Sequence, residues 1–162
     1  MRKLILEMAC EIERKYLVVG DYKAHAVKCK HITQGYLSDD PQRTVRVRVI
    51  DDKGFLTIKG ASSSDHLVRN EWEYEISVVE ARDLIKICLP GVIDKSRYYV
   101  PFEGSIFEVD EFHGENEGLV IAEIELVTPD QMVLLPSWIG QEVTGVAKYY
   151  NSMLVRNPYS KW

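Results

Sequence analysis

Alternation of apolar and charged residues recurs along most of this chain. It predicts strands, because successive side chains of an extended strand point to opposite faces. Cys10 to Val18, C-E-I-E-R-K-Y-L-V, sets Glu11, Glu13 and Lys15 on one face and Ile12 and Tyr16 on the other. His31 to Leu37 reads as a second strand, in which Gly35 marks a bulge or a close backbone approach. Thr44 to Ile50 opposes Val45, Val47 and Val49 to Arg46 and Arg48, and the Asp51-Asp52-Lys53-Gly54 turn leads into Phe55 to Gly60, where Thr57 and Lys59 share a face. Asn70 to Val78 sets Glu71, Glu73 and Glu75 against Trp72, Tyr74 and Ile76. Asp94 to Val100 aligns Lys95, Arg97 and Tyr99, Ile106 to Phe112 aligns Glu108 with Asp110, and Leu119 to Val127 carries Glu123 and Glu125.

Helical spacing interrupts this pattern in few places. Ala81, Leu84, Ile85 and Cys88 predict a helix over Val79 to Leu89, stopped by Pro90-Gly91. A short helical turn is expected at Tyr22 to Val27, a short helix between Pro129 and Pro136, a brief strand at Gln141 to Thr144 and a closing helix at Ala147 to Val155. With no repeat, low-complexity tract or linker, residues 1–162 form one domain, and residues 1–8 read as an N-terminal extension.

The polar faces are too orderly for surface strands that merely meet water. Two carboxylates at i and i+2, such as Glu11 and Glu13, stand roughly 7 Å apart and repel by on the order of 2 kcal/mol at an effective dielectric near 20. A cation removes that cost. About eight strands can close on themselves around a small ligand. The expected fold is therefore α+β but mainly β: a closed eight-stranded antiparallel barrel with a charged lumen and helices packed outside. Charges at such density inside a barrel are tenable only if they pair, hold ions and water, or embrace a multiply charged ligand.

Composition narrows the partners. A formal net charge of -5 offers no overall positive field to nucleic acid, and no apolar run reaches membrane-spanning length. Three cysteines without C-x-x-C spacing argue against a disulfide framework and fit a reducing, cytoplasmic setting. His25, His31, His66 and His113 lack metal-ligand spacing and read as structural, and Gly140 to Gly145 has no Lys-Ser/Thr after it to complete a phosphate-binding loop.

The segment E-I-E-R-K at Glu11 to Lys15 resembles the E-x-E-x-K signature of the CYTH superfamily, the triphosphate tunnel metalloenzymes. Further segments resemble that family in order: Q-G-Y-L at Gln34, R-V-R at Arg46, L-T-I-K-G at Leu56, R-x-E-x-E at Arg69, K-S-R-Y at Lys95, E-V-D-E-F-H-G-E-N-E-G-L at Glu108, A-E-I-E-L at Ala122 and Y-Y-N-S-x-L at Tyr149. The likeness runs from Glu11 to Leu154 and is strongest to the small bacterial tripolyphosphatases. It implies a tunnel in which Lys15, Arg46, Arg48, Lys59, Lys95 and Arg97 grip a triphosphate. It implies Mg²⁺ or Mn²⁺ on Glu11, Glu13, Glu123 and Glu125, with Asp110 as a further metal group. Lys95, Arg97, Glu71 and Glu73 then stand at the reacting centre, with Glu71, Glu73 and Asp110 either outer-sphere metal ligands or partners that orient the bases. Lys148 precedes Y-Y-N-S, but Gly145-Val146-Ala147 lacks the acids common there, which leaves its role open.

The implied reaction is hydrolysis of inorganic tripolyphosphate to pyrophosphate and phosphate, one ion bridging the phosphates and a second positioning water. Competing readings are an adenylyl cyclase of the class IV type, a thiamine triphosphatase, and a polyphosphate or nucleotide binder without turnover. The sequence leaves room for a homodimer through an apolar outer face.

Overall fold

Each alternating segment forms a strand in the structure, a computed structural model that describes residues 9–64 and 68–162. In chain order these are β1 (Ala9–Val18), β2 (Lys28–Ser38), β3 (Arg43–Ile50), β4 (Lys53–Ser62), β5 (Val68–Ile76), β6 (Ile93–Phe102), β7 (Ser105–Phe112), β8 (Val120–Glu125) and the short β9 (Ile139–Glu142). The strand order is β5-β4-β3-β2-β6-β7-β8-β1-β9, and β5 also pairs with β1, so the first eight strands close into an antiparallel barrel. Residues 1–8, read as an extension, lie outside the described residues, as does His66.

The helix α1 (Val78–Lys86) begins where Ser77 and Glu80 form a reciprocal capping box. It lies over the outer faces of β3 and β4, where a Cβ on Gly54 would stand 2.7 Å from the Cβ of Ala81. A Cβ on Gly35 would meet Cys88 at 2.9 Å, so that glycine does mark a close approach, and a register shift follows between Tyr36 and Ser38.

The larger apolar core sits outside the barrel. Ile12, Tyr16, Val100, Phe107, Val109, Ala122 and Ile124 are buried beneath Tyr22 and Trp138. A smaller cluster, Ile93, Phe112, Leu119 and Ile121, packs with Leu154 of α2 (Asn151–Arg156). Phe112 is opposite Lys95 and Ile121 opposite Asp110, so this cluster belongs to the inward faces. It plugs one end of the barrel with apolar side chains, next to the charged lumen that the alternation predicts.

Among the described residues β1 pairs with β5 only through Ala9 to Ile12, and with β9 at Tyr16 and Val18. The chain after β9 is pinned to β1 in between: Val143 N donates to Lys15 O at 2.8 Å, and Lys15 N to Thr144 Oγ1 at 3.0 Å.

Two predicted helices differ. Residues 131–136 are without regular structure, because Met132 and Leu134 are exposed and a short helix there has no apolar face to bury. The closing helix is split into a 3-10 turn at Ala147–Tyr149 and α2, with Tyr150 extended between them. Among the described residues no helix is long and apolar enough to cross a membrane.

Candidate active site

The barrel encloses a cavity of about 760 Å³. Its lining contains every residue expected at the site except Asp110, and includes Glu108 as well. The register explains this convergence. Arg46 is opposite Thr57 and Tyr36, Thr57 is opposite Glu73, and Lys59 is opposite Glu71 and Thr44, so one period-two face runs around the barrel. Glu75 continues that face past the cavity and meets Lys53 at an exposed position.

Nearest the apolar plug, Asp110 is fully buried and bound on both oxygens. Lys95 Nζ reaches Oδ2 at 2.6 Å, while Arg97 holds Oδ1 through Nε at 2.6 Å and Oδ2 through Nη2 at 2.8 Å. Burial alone would raise the Asp110 carboxyl, but Arg97 and Lys95 outweigh it and hold it below its ordinary value. Of the two roles considered for Asp110, metal group or partner that orients the bases, the contacts of both its oxygens with Lys95 and Arg97 fit the second. Burial lowers Lys95 to about 8 despite this ion pair, and its ammonium also donates to Asn151 Oδ1 at 3.1 Å.

The middle of the bore is organised by Lys15 and Glu123, 2.6 Å apart. Burial would lower Lys15, yet Glu123 and Glu13 hold it well above its usual range; Lys15, Arg97 and Lys95 in turn hold Glu123 well below its own. Arg97 also binds Glu108, whose carboxyl burial pushes up. Across the bore, Arg48 Nη2 meets Glu73 at 2.6 Å and Arg46 Nη2 donates to Thr57 Oγ1 at 3.3 Å. Burial, then the neighbouring Arg46 charge, lowers Arg48 to about 10. The Nε atoms of both arginines are buried with no hydrogen-bond partner among the described residues. Such orphaned donors are costly in an interior unless a ligand or water satisfies them.

At the end away from the plug, acids outnumber bases. Lys59 Nζ lies 2.5 Å from Glu11 and 3.2 Å from Glu71, and Glu13 shares Lys15 with Glu123. Burial is the main cause that raises Glu11; burial, then Glu11 and Glu13, raises Glu125. Among the described residues no three His, Cys, Asp or Glu side chains converge into a closed metal site. The donor set nevertheless fits a hard divalent cation, because Mg²⁺ takes oxygen ligands and typically binds one or two carboxylates together with phosphates and water.

Several lining residues were not assigned from the sequence. Tyr36 and Arg69 share the parity of Gln34 and Glu71, a signal that alternation carries. Arg69 braces the wall, donating to Gly60 O, Pro41 O and Thr44 Oγ1. Thr144, Tyr150 and Asn151 enter only through the tertiary course of the chain after β9. Lys148 is outside the cavity lining, its ammonium 4.2 Å from the Trp162 ring centroid.

A family profile described as CYTH domain matches residues 9–151. An inorganic triphosphatase of Acetivibrio thermocellus is 50% identical over 156 residues, covering 96% of this chain and 99% of the relative. An inorganic triphosphatase of Nitrosomonas europaea is 34% identical over 150 residues, covering 89% and 95%. The crystal structure of an inorganic triphosphatase superposes with a TM-score of 0.67 at 30% identity, over 91% of this chain and 95% of that one.

Proposed function

Since the chain belongs to the CYTH domain family, we propose that it is an inorganic triphosphatase, which hydrolyses tripolyphosphate with one water to pyrophosphate and phosphate. The observation that carries the reading is the enclosed bore, where Lys15, Arg46, Arg48, Lys59, Lys95 and Arg97 face one cavity and two arginines keep buried, unpartnered Nε donors. A cavity of this volume suits a small ligand. Cations of this number suit a polyanion whose charge is spread over several phosphoryl oxygens.

Arg46 and Arg48 present guanidinium groups from adjacent inward positions of one strand, a geometry that suits bidentate phosphate contacts. Lys15, Lys59 and Lys95 act as point charges, and Asp110 fixes Lys95 and Arg97 in place behind them. Glu71 holds Lys59, while Glu73 accepts from Arg48 and from Thr57 Oγ1 at 2.9 Å. Both orient cations toward the reacting phosphates. Glu11, Glu13, Glu123 and Glu125 would hold Mg²⁺ or Mn²⁺, which supplies charge neutralisation and a lowered pKa of water.

The test is phosphate release by purified protein with Mg²⁺ or Mn²⁺, compared across tripolyphosphate, ATP and thiamine triphosphate. The expected result is one phosphate and one pyrophosphate per tripolyphosphate, faster than release from either organic substrate. Cyclic AMP from ATP, or tight binding with no release, would replace this reading with the cyclase or the binder.

A further inference from the structure

The rim of the bore carries cations that stand outside the ion-pair network. β2 begins with Lys28 and Lys30, which pair with Tyr99 and Arg97 of β6 in unbroken register, so both share the inward parity of those two lining residues. Neither lysine lines the cavity itself. Along β6, Tyr99 lies beyond Lys95 on the side away from the plug residue Ile93, which puts the start of β2 at the open end. Lys28 is exposed and Lys30 half-buried. The Lys28 ammonium lies 5.9 Å from the Tyr99 ring centroid, and neither lysine has a carboxylate partner among the described residues. The acids nearest in register are engaged elsewhere: Glu108 with Arg97, Glu111 with Lys23 and Asp94 with His31.

Strand order fixes where these lysines stand relative to the acids. Around the ring, β3, β4 and β5 separate β2 from β1 one way and β6, β7 and β8 the other, so β2 forms the wall opposite β1. The open end is therefore divided by charge. Glu11 and Glu13 of β1, flanked by Glu71 of β5 and Glu125 of β8, stand across from Lys28 and Lys30. A polyanion that approaches along the acidic wall is repelled, and the net charge of -5 adds no attraction from the rest of the surface. We propose that Lys28 and Lys30 form an anion-capture site at the rim, where one end of tripolyphosphate docks before the chain passes to Arg97 and Arg48 deeper in the bore. The inference rests on the triphosphatase reading. Lys15, Lys59, Lys95, Arg48 and Arg97 already hold carboxylates, so their field at the entrance is partly cancelled. The two rim ammonium groups have no such neutralisation. On flexible stems they hold phosphate as point charges, which suits capture followed by release inward. Their pull fades with salt, because the screening length shrinks from about 10 Å at 0.1 M to about 3 Å at 1 M.

The experiment measures tripolyphosphate hydrolysis at constant Mg²⁺ by wild type, Lys28→Gln/Lys30→Gln and Lys28→Glu/Lys30→Glu, at low salt and in about 1 M KCl. At low salt kcat/KM is expected to fall about tenfold in the glutamine variant and about 100-fold in the glutamate variant, with kcat unchanged. At high salt both variants are expected to converge on wild type. Arg82→Gln/Lys86→Gln removes the same net charge from exposed positions of α1, outside the barrel, and is expected to behave as wild type throughout. Wild-type kcat/KM in the glutamine variant at low salt would overturn the proposal. So would an equal loss in the α1 variant, which would assign the effect to overall charge, or a loss carried by kcat. Failure of the triphosphatase reading is recognised separately, by a wild-type protein that releases no phosphate.

Discussion

At the plugged end of the bore, one buried carboxylate, Asp110, is gripped by both Lys95 and Arg97. At the other end Glu11 and Glu71 share Lys59, Glu13 takes part of Lys15, and Glu125 stands near them without an ion pair among the described residues. The contrast is one of charge balance in a confined space. At the plugged end two cations converge on one fully buried carboxylate, and their geometry is fixed by it. In front, acids outnumber their bases, and Glu11 and Glu125 keep their protons more firmly than an ordinary glutamate. On the proposed reading, the first region stays as it is and the second receives a cation.

The largest effect expected from this comparison is at Asp110. Asp110→Ala leaves buried Lys95 without its ion-pair partner and Arg97 with Glu108 and Glu123 alone, which costs about 3–5 kcal/mol and lowers the melting temperature by roughly 10 °C. Thermal unfolding without metal measures it. Glu125→Ala, at the acid-rich end, is expected to leave the midpoint unchanged or raise it, and equal losses in the two variants would erase the distinction.

The next effect falls on turnover. Glu13→Gln or Glu125→Gln is expected to reduce Mg²⁺- or Mn²⁺-dependent phosphate release on the order of 100-fold while the metal-free fold persists. Steady-state rates across a metal titration test this, and near-normal rates in both variants would remove those residues from the metal site. Arg48→Ala is expected to be milder, raising the KM for tripolyphosphate about tenfold, because Arg46 and Lys15 continue to attract the anion.

The smallest effect is in pH, where the two ends carry opposite signs. Glu123 and Asp110 have lowered folded-state values, so their stabilisation is full above the ordinary carboxylate range and is lost as pH falls through those lower values. Glu11 and Glu125 have raised values, so the metal-free fold loses their contribution as pH rises from the ordinary glutamate range through the raised ones. Melting temperature against pH in chelator is expected to decline gently across that upper window. Mg²⁺ or Glu125→Gln should flatten the decline, and a curve indifferent to both would contradict the crowding.

The barrel and its charged faces were legible in the sequence because a strand's period of two assigns each side chain to a face without knowledge of the fold. Arg46 and Arg48 against Val45, Val47 and Val49 is the plainest case, and β3 keeps that assignment through every pairing. Depth along the bore was not legible. Glu108 and Asp110 share a face and a strand, yet one lines the cavity and the other is sealed beneath two cations. Position relative to the plug decides this, and the plug arises where Leu154 of α2 meets Ile93 and Phe112 from distant strands. Thr144, read as the end of a brief strand, and Tyr150 and Asn151, read within one closing helix, were missed for the same reason. Tyr36 could have been found, because it is two residues from Gln34 on an inward-facing strand.

The central claim is that acids at one end of an enclosed bore hold the cation while bases deeper inside hold the triphosphate. A crystal soaked with tripolyphosphate and Mn²⁺ tests it most directly, through the anomalous signal of the metal. The account predicts manganese among Glu11, Glu13, Glu123 and Glu125, with phosphoryl oxygens on Arg46, Arg48 and Lys15. Manganese on Asp110, or a triphosphate bound on the outer surface with the bore unchanged, would contradict it.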